Sequence, residues 1–266
     1  MPLHDDYARI TPFELAFPDP EEGEELLRRI TAEADEQGGV DDLQAFMHLG
    51  SVTGWLQRLR PAEEEGQGMH QYASLAFHTW RFHRAGRPFW LLETATARYL
   101  VDGAPGGAPK LPAESGYLQL PQHLFWVEPG PGETPESVDG LFWHRSGGGV
   151  LHVLLAMGIR PDRAGLGVVP VADAPWTDAP RWLEAEIRPD GDDFETTLPG
   201  GELEGLYSLE AAGEVLKLLA RALAYRAAHP GAETAREPHP EEETADDAPR
   251  PSRFPYRRLT LADASP

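Results

Sequence analysis

The stretch that most limits how this chain can fold is "DGLFWHRSGGGVLHVLLAMG", Asp139 to Gly158. Two apolar runs flank Ser-Gly-Gly-Gly, and a glycine cluster permits a tight reversal. The runs are therefore expected to pair as an antiparallel hairpin. With the turn centred on Gly147-Gly148, Trp143 faces His152, Phe142 faces Val153 and His144 faces Leu151. Side chains alternate along a strand, so Trp143 and His152 share one face, and Phe142, His144, Leu151 and Val153 share the other. This register puts His144 and His152 on opposite faces and excludes their joint hold on one metal ion.

Strand-like runs surround the hairpin. "YLQLPQHLFWVEPG", Tyr117 to Gly130, reads as a strand entered through Leu120-Pro121 and ended by Pro129-Gly130. Pro121 is tolerated at the first residues, where a missing donor costs little. His123 then sits at the strand entrance, on one face with Phe125 and Val127. "GLGVVPVAD" is a further short strand and "WLEAEIRPD" another.

Upstream the apolar period is helical. "DPEEGEELLRRITAEADEQGG" opens on acids and closes on Gly38-Gly39, as a helix with a favourable dipole and a glycine stop does. "VDDLQAFMHLGSVTGWLQRLRP" reads as a second helix, broken near Gly50. "MHQYASLAFHTWRFHRAG" is a third, with Met69, Tyr72, Ala76, Trp80 and His83 at spacings of three and four. "PFWLLETATARYLVDG" suits either a fourth helix to Gly103 or a strand. A late helix, "YSLEAAGEVLKLLARALAYRAAHPG", has a wide apolar arc and so is expected to be well buried. Residues 232–252 hold seven acids, two arginines and no large apolar side chain, which predicts disorder. Beyond them "RFPYRRLTLADASP" regains apolar character.

Composition narrows the chemistry. The 266-residue chain has no cysteine, so disulfides, thiolate metal sites and cysteine nucleophiles are excluded. Its formal net charge is −21, with Lys+Arg 23 against Asp+Glu 44, a balance that disfavours nucleic acid as a partner. The opening "MPLHDDYARI" lacks the features of a secretory leader, and no apolar run is long enough to span a bilayer. A cytoplasmic bacterial protein is the expectation.

Catalytic motifs are sparse. His70, His78 and His83 are separated by eight and five residues, whereas helical metal pairs use three or four. Nothing matches G-x-S-x-G, and Ser74, Ser146 and Ser208 lack evident partners. "GAPGGAPK" lacks the Lys-Ser/Thr ending of a phosphate loop. Glu128 and Asp139 read as solvated strand ends, and Arg160 and Arg163 as turn residues. No metal and no cofactor is expected. Binding is better supported. Seven tryptophans exceed what a core needs, and some are expected to line a groove or interface. Trp126, Trp143 and His152 are candidates there, with Phe254, Tyr256, Arg257, Arg258, Leu259 and Leu261 of the terminal peptide. That peptide is expected to dock on a partner or to add an edge strand to its own sheet.

Taken in order, "HTWRFHRAGRPFWL", "LPQHLFWVE", "VDGLFWHRSGGGVLHVLLAMG" and "VLKLLARALAYRAAHPGAE" resemble the motif order of a family of plasmid- and phage-borne proteins. That family includes an inhibitor of type V CRISPR effectors. The resemblance spans about residues 78–233 and implies a non-enzymatic protein that binds polypeptide. The late helix reads "LAYRAAHP" where the family has a cysteine-containing stretch, and no functional residue is carried over.

The expected fold is α+β. A mainly helical part (1–103) packs on a small antiparallel sheet of four to five strands with one long helix (104–230). A disordered acidic linker (231–252) and a terminal peptide (253–266) follow. The expected function is a non-catalytic protein-interaction module with a protein partner and no membrane. The alternatives are a small-molecule or hydrolytic enzyme whose site gathers scattered His, Asp and Glu, and a structural subunit of an assembly. The enzyme reading needs a concave pocket that holds two or more of His78, His83, His123, His144 and His152 with a carboxylate within hydrogen-bond reach.

Overall fold

Phe89-Trp90-Leu91-Leu92 is an unbroken apolar run in which every side chain is buried. A strand covered on both faces has no use for polar alternation, and this one, β1 (Phe89–Leu92), lies inside a mixed sheet. The structure is a computed structural model, and it describes residues 6–59, 67–102, 115–127, 135–145, 151–160, 163–171, 206–240 and 248–262. The expectations for "GAPGGAPK", Glu128, Ser146, Trp176, Trp182 and "WLEAEIRPD" lie outside the described residues.

Five helices precede the sheet: α1 (Pro12–Ala16), α2 (Pro20–Glu36), α3 (Leu43–Met47), α4 (Gly50–Leu59) and α5 (Gln67–Arg84). Local chemistry sets their ends. Thr11 and Glu14 form a reciprocal capping box around Pro12 at the first turn of α1. The Asp19 carboxylate accepts from Glu21 and Glu22 at the start of α2. Past α2, Gly38 and Gly39 take φ of 80° and 105°, a region open to glycine. The run to Gly103, which suited either a helix or a strand, holds both: it divides after Pro88 into β1 and α6 (Thr94–Asp102).

The remaining strands are β2 (Ser115–Gln119), β3 (Trp126–Val127), β4 (Glu136–Arg145), β5 (Leu151–Arg160), β6 (Arg163–Val171), β7 (Glu233–Arg236) and β8 (Tyr256–Leu259). Helix α7 (Leu206–Ala228) lies between β6 and β7 in the chain. Their order is β6-β5-β4-β2-β1-β8-β7, with β3 alongside β4. β1 runs parallel to both β2 and β8, and the other pairings are antiparallel. The sheet is therefore mixed and not purely antiparallel, because α6 provides the crossover that a parallel β1–β2 pair requires.

The two sheet faces carry separate cores. Trp90, Leu92, Leu118, Leu141, Trp143, Val153 and Leu155 face α6 and α7. Phe89, Leu91, Tyr117, Phe142 and Leu154 face α1 to α5, together with Phe254 and Tyr256. The result is three layers, helices over sheet over helices.

Three local expectations are corrected. The run from Tyr117 to Gly130 is not one strand: Leu120-Pro121 ends β2, His123 turns through φ 62°, and only Trp126-Val127 rejoins the sheet. Pro121 has no N–H for a ladder, so it closes the strand that was expected to begin there. The hairpin register is shifted by one, pairing Trp143 with Val153 and His144 with His152. This keeps Leu141, Trp143, Val153, Leu155 and Met157 together beneath α7, with both histidines on the α5 face. The linker expected to be disordered contains β7, and Tyr256–Leu259 is laid between β1 and β7. Residues 241–247 of that linker are outside the described residues.

Candidate functional site

The residues expected to form a docking peptide are mostly spent on the fold. Phe254, Tyr256 and Leu259 are buried. Arg257 pairs with Glu233, and Arg258 Nη2 donates to Glu93 Oε1 at 2.9 Å. Glu233 is also bonded by Arg226. Burial pushes its carboxyl up, but the bonds from Arg226 and Arg257 outweigh this and hold it below the usual carboxylate range. The preceding segment interlocks with the N-terminal one. Ser252 N donates to Ala8 O at 2.8 Å, Ile10 N donates to Arg250 O at 2.8 Å, and Ser252 Oγ donates to Glu14 Oε2 at 2.8 Å. Of the nine candidates, Leu261 and Trp126 remain exposed as large apolar side chains. Trp143 is 1% exposed and stacks on Trp90 with ring centroids 5.7 Å apart.

His152 belongs to a cluster that the shifted register creates. It faces His144 across the β4–β5 pair, with ring centroids 6.1 Å apart and planes within 15°. Phe77 of α5 meets both rings edge-on, at 5.5 Å from His144 and 6.2 Å from His152. His78 follows Phe77 and is 3% exposed, while His144 is 2% exposed. Ser115 Oγ lies 2.9 Å from His144 Nδ1, and Asp41 Oδ1 lies 3.6 Å from His144 Nε2. Arg81, one turn along α5 from His78, donates to Asp41 Oδ1 at 2.6 Å. Neither His78 Nδ1 nor His144 Nε2 has a hydrogen-bond partner.

These rings are held uncharged. Burial, then the neighbouring Arg81 and His152, pushes His144 down to about 4. Burial does the same to His78, aided by His152 and His144, and its proton affinity falls well below the ordinary imidazole range. His152 is lowered by burial, against the pull of Asp41 and Asp42. Among the described residues, no group of three or more His, Asp and Glu is arranged to hold a metal ion. The cluster's chemistry is that of neutral imidazole: accepting a proton, or accepting the hydrogen bond of the Ser115 hydroxyl.

The other candidate histidines are apart from it. His83 Nε2 lies 3.2 Å from Glu24 Oε2. His123 is exposed and stacks flat on Trp126 at 5.0 Å, and its backbone N–H is held by Ser137 Oγ at 2.9 Å. Trp126 is 50% exposed. Leu124 and Phe125, just before it, are half-buried against the α7-side core and anchor the segment. A cavity of about 250 Å³ opens elsewhere, between Glu14, His239 and Pro251–Arg253, and no histidine of the cluster lines it. Asp139, expected as a solvated strand end, is buried beside Arg9 at 3.6 Å.

The chain signals for the cluster were faint. Histidines 78, 144 and 152 stand far apart in sequence, and one residue of register decided whether two of them met. Among the described residues no helix is long and apolar enough to cross a membrane. Comparison with protein families, with curated proteins and with solved structures finds no match.

Proposed function

We propose that this protein is a non-catalytic module that binds another polypeptide through the surface around Trp126. The observation that carries the reading is a half-exposed indole, stacked on His123, on a segment fixed by the Trp126↔Ser137 pairing and by the half-buried Leu124 and Phe125. An aromatic side chain held in one orientation loses little entropy on binding, which is why tryptophan dominates interface energetics. The motif order that resembles a polypeptide-binding family points the same way. The test places a photo-cross-linking residue at position 126 to identify the partner, then titrates that purified partner. Trp126→Ala is expected to weaken binding about tenfold or more. Unchanged affinity ends the reading.

A second reading, a hydrolytic site, is favoured by the chain Ser115 Oγ–His144–Asp41. These are the groups of an acyl-transfer relay, with the imidazole nitrogens in exchanged roles. Here His144 Nδ1 takes the Ser115 proton while the Ser115 oxygen bonds to the phosphorus of a fluorophosphonate and fluoride leaves. A fluorophosphonate probe then leaves an adduct on the wild type and none on Ser115→Ala. A wild type that stays unlabelled removes this reading.

A further inference from the structure

We infer that the buried histidine cluster is a proton-operated latch between α5 and the sheet: proton uptake by His78, His144 and His152 releases the α5 layer from the β4–β5 end. The cluster joins three elements, since His78 comes from α5, His144 from β4 and His152 from β5. A fourth, the segment ahead of α3, brings Asp41 and Asp42, and Arg81 on α5 ties itself to Asp41.

The charges facing the rings do not balance once they are protonated. Three imidazolium ions would join Arg81, giving four cations against two carboxylates. Asp41 is already shared with Arg81, and Asp42 Oδ1 accepts from Ala45 N at 2.8 Å to cap α3. His144 and His152 stand ring over ring, so charging both sets like charges face to face. Ser115 supplies His144 with a hydroxyl and no charge. Phe77 of α5 packs edge-on against both rings, so separating α5 from them also uncovers apolar surface.

The direction follows from proton counting. The rings bind protons less readily in the closed form than in an open, hydrated one. The closed form is fully favoured above about pH 6.5, the ordinary imidazole value. It loses ground as pH falls towards about 4, where His144 titrates in place. In the closed form each ring opposes its neighbours' protonation, so it is the opening step, which frees all three rings at once, that makes uptake cooperative.

The experiment uses the full chain and follows near-UV circular dichroism, far-UV circular dichroism and binding of an apolar dye from pH 7.5 to 4.0. The expected result is a reversible transition in which dye binding rises and the near-UV signal falls while helix content persists. Its steepness should correspond to more than one proton. His152 is only half-buried, so His152→Gln tests the latch in a chain that still folds. It should reduce the proton uptake by about one. His144→Gln with His152→Gln should move the midpoint to lower pH. Imidazole Cε1–H resonances report charging of the rings directly and should move through the same pH range. Superimposable profiles of wild type and both variants overturn the inference, since carboxylates would then be driving the change. So does a transition across which the three imidazole resonances do not move.

Discussion

Gly116 shows how little room the sheet interior leaves. A Cβ built there would come within 2.3 Å of the Trp143 ring, which is itself stacked on Trp90. Gly116→Ala is therefore expected to destabilise the fold by about 1–3 kcal/mol, the usual cost of overpacking a tight core. Urea unfolding measures it, and a loss below about 0.5 kcal/mol would show that the indole can move aside. Alternation correctly separates Trp143 from Phe142, but it cannot tell which face is covered when both are. Trp143 is buried where the chain pattern suggests an interface, because the layer that covers it, α7, is far away in sequence. The histidine pair illustrates the same limit, because period two is unforgiving: one residue of slip exchanges the faces.

At the scale of elements, β8 carries the most consequence. It is laid between β1 and β7, and its Tyr256, with Phe254 just before it, fills the core under α1 to α5 while Leu259 fills the other. A chain ending at Ser252 loses two ladders and three buried side chains. It is expected to lose cooperative unfolding altogether, as judged by the urea transition of the near-UV signal. A shortened chain that still unfolds with a sharp transition would show that the sheet closes without β8. Helical punctuation was readable beforehand: Asp19, Gly38-Gly39 and the break near Gly50 all mark ends. Thr11-Pro12-Phe13-Glu14 also spells a capping box with proline in the first turn, but the helix it opens is too short to show an apolar period. The interior location of β8 was not readable, since β1 and β8 pair across a long sequence separation and no local pattern encodes a partner.

The whole molecule carries a formal charge of −21, and self-repulsion of that size opposes compaction. Raising salt from about 0.02 to 0.5 M shortens the Debye length from roughly 20 Å to a few ångströms. The melting temperature is expected to rise by about 2–4 °C, corresponding to about 1 kcal/mol for a chain of this size. A fall on adding salt would mean that attractive pairs such as Arg258–Glu93 outweigh the repulsion. The molecule-scale view also recasts the acidic segment after α7. Its charge density argued for disorder, yet Glu233 is drawn into the fold because Arg226 and Arg257 converge on its carboxylate.

What the sequence determined by itself is the local layer: the mixture of helix and sheet, most helix ends, the existence of the β4–β5 hairpin and the exclusion of cysteine chemistry. Each rests on neighbours a few residues apart, where sterics, capping and period act directly. The tertiary structure decided the parallel placement of β1, the interior position of β8, the register that brings His144 to His152, and the burial of Trp143. Those depend on which distant surfaces meet, and the chain pattern holds that information only as a sum over many weak contacts.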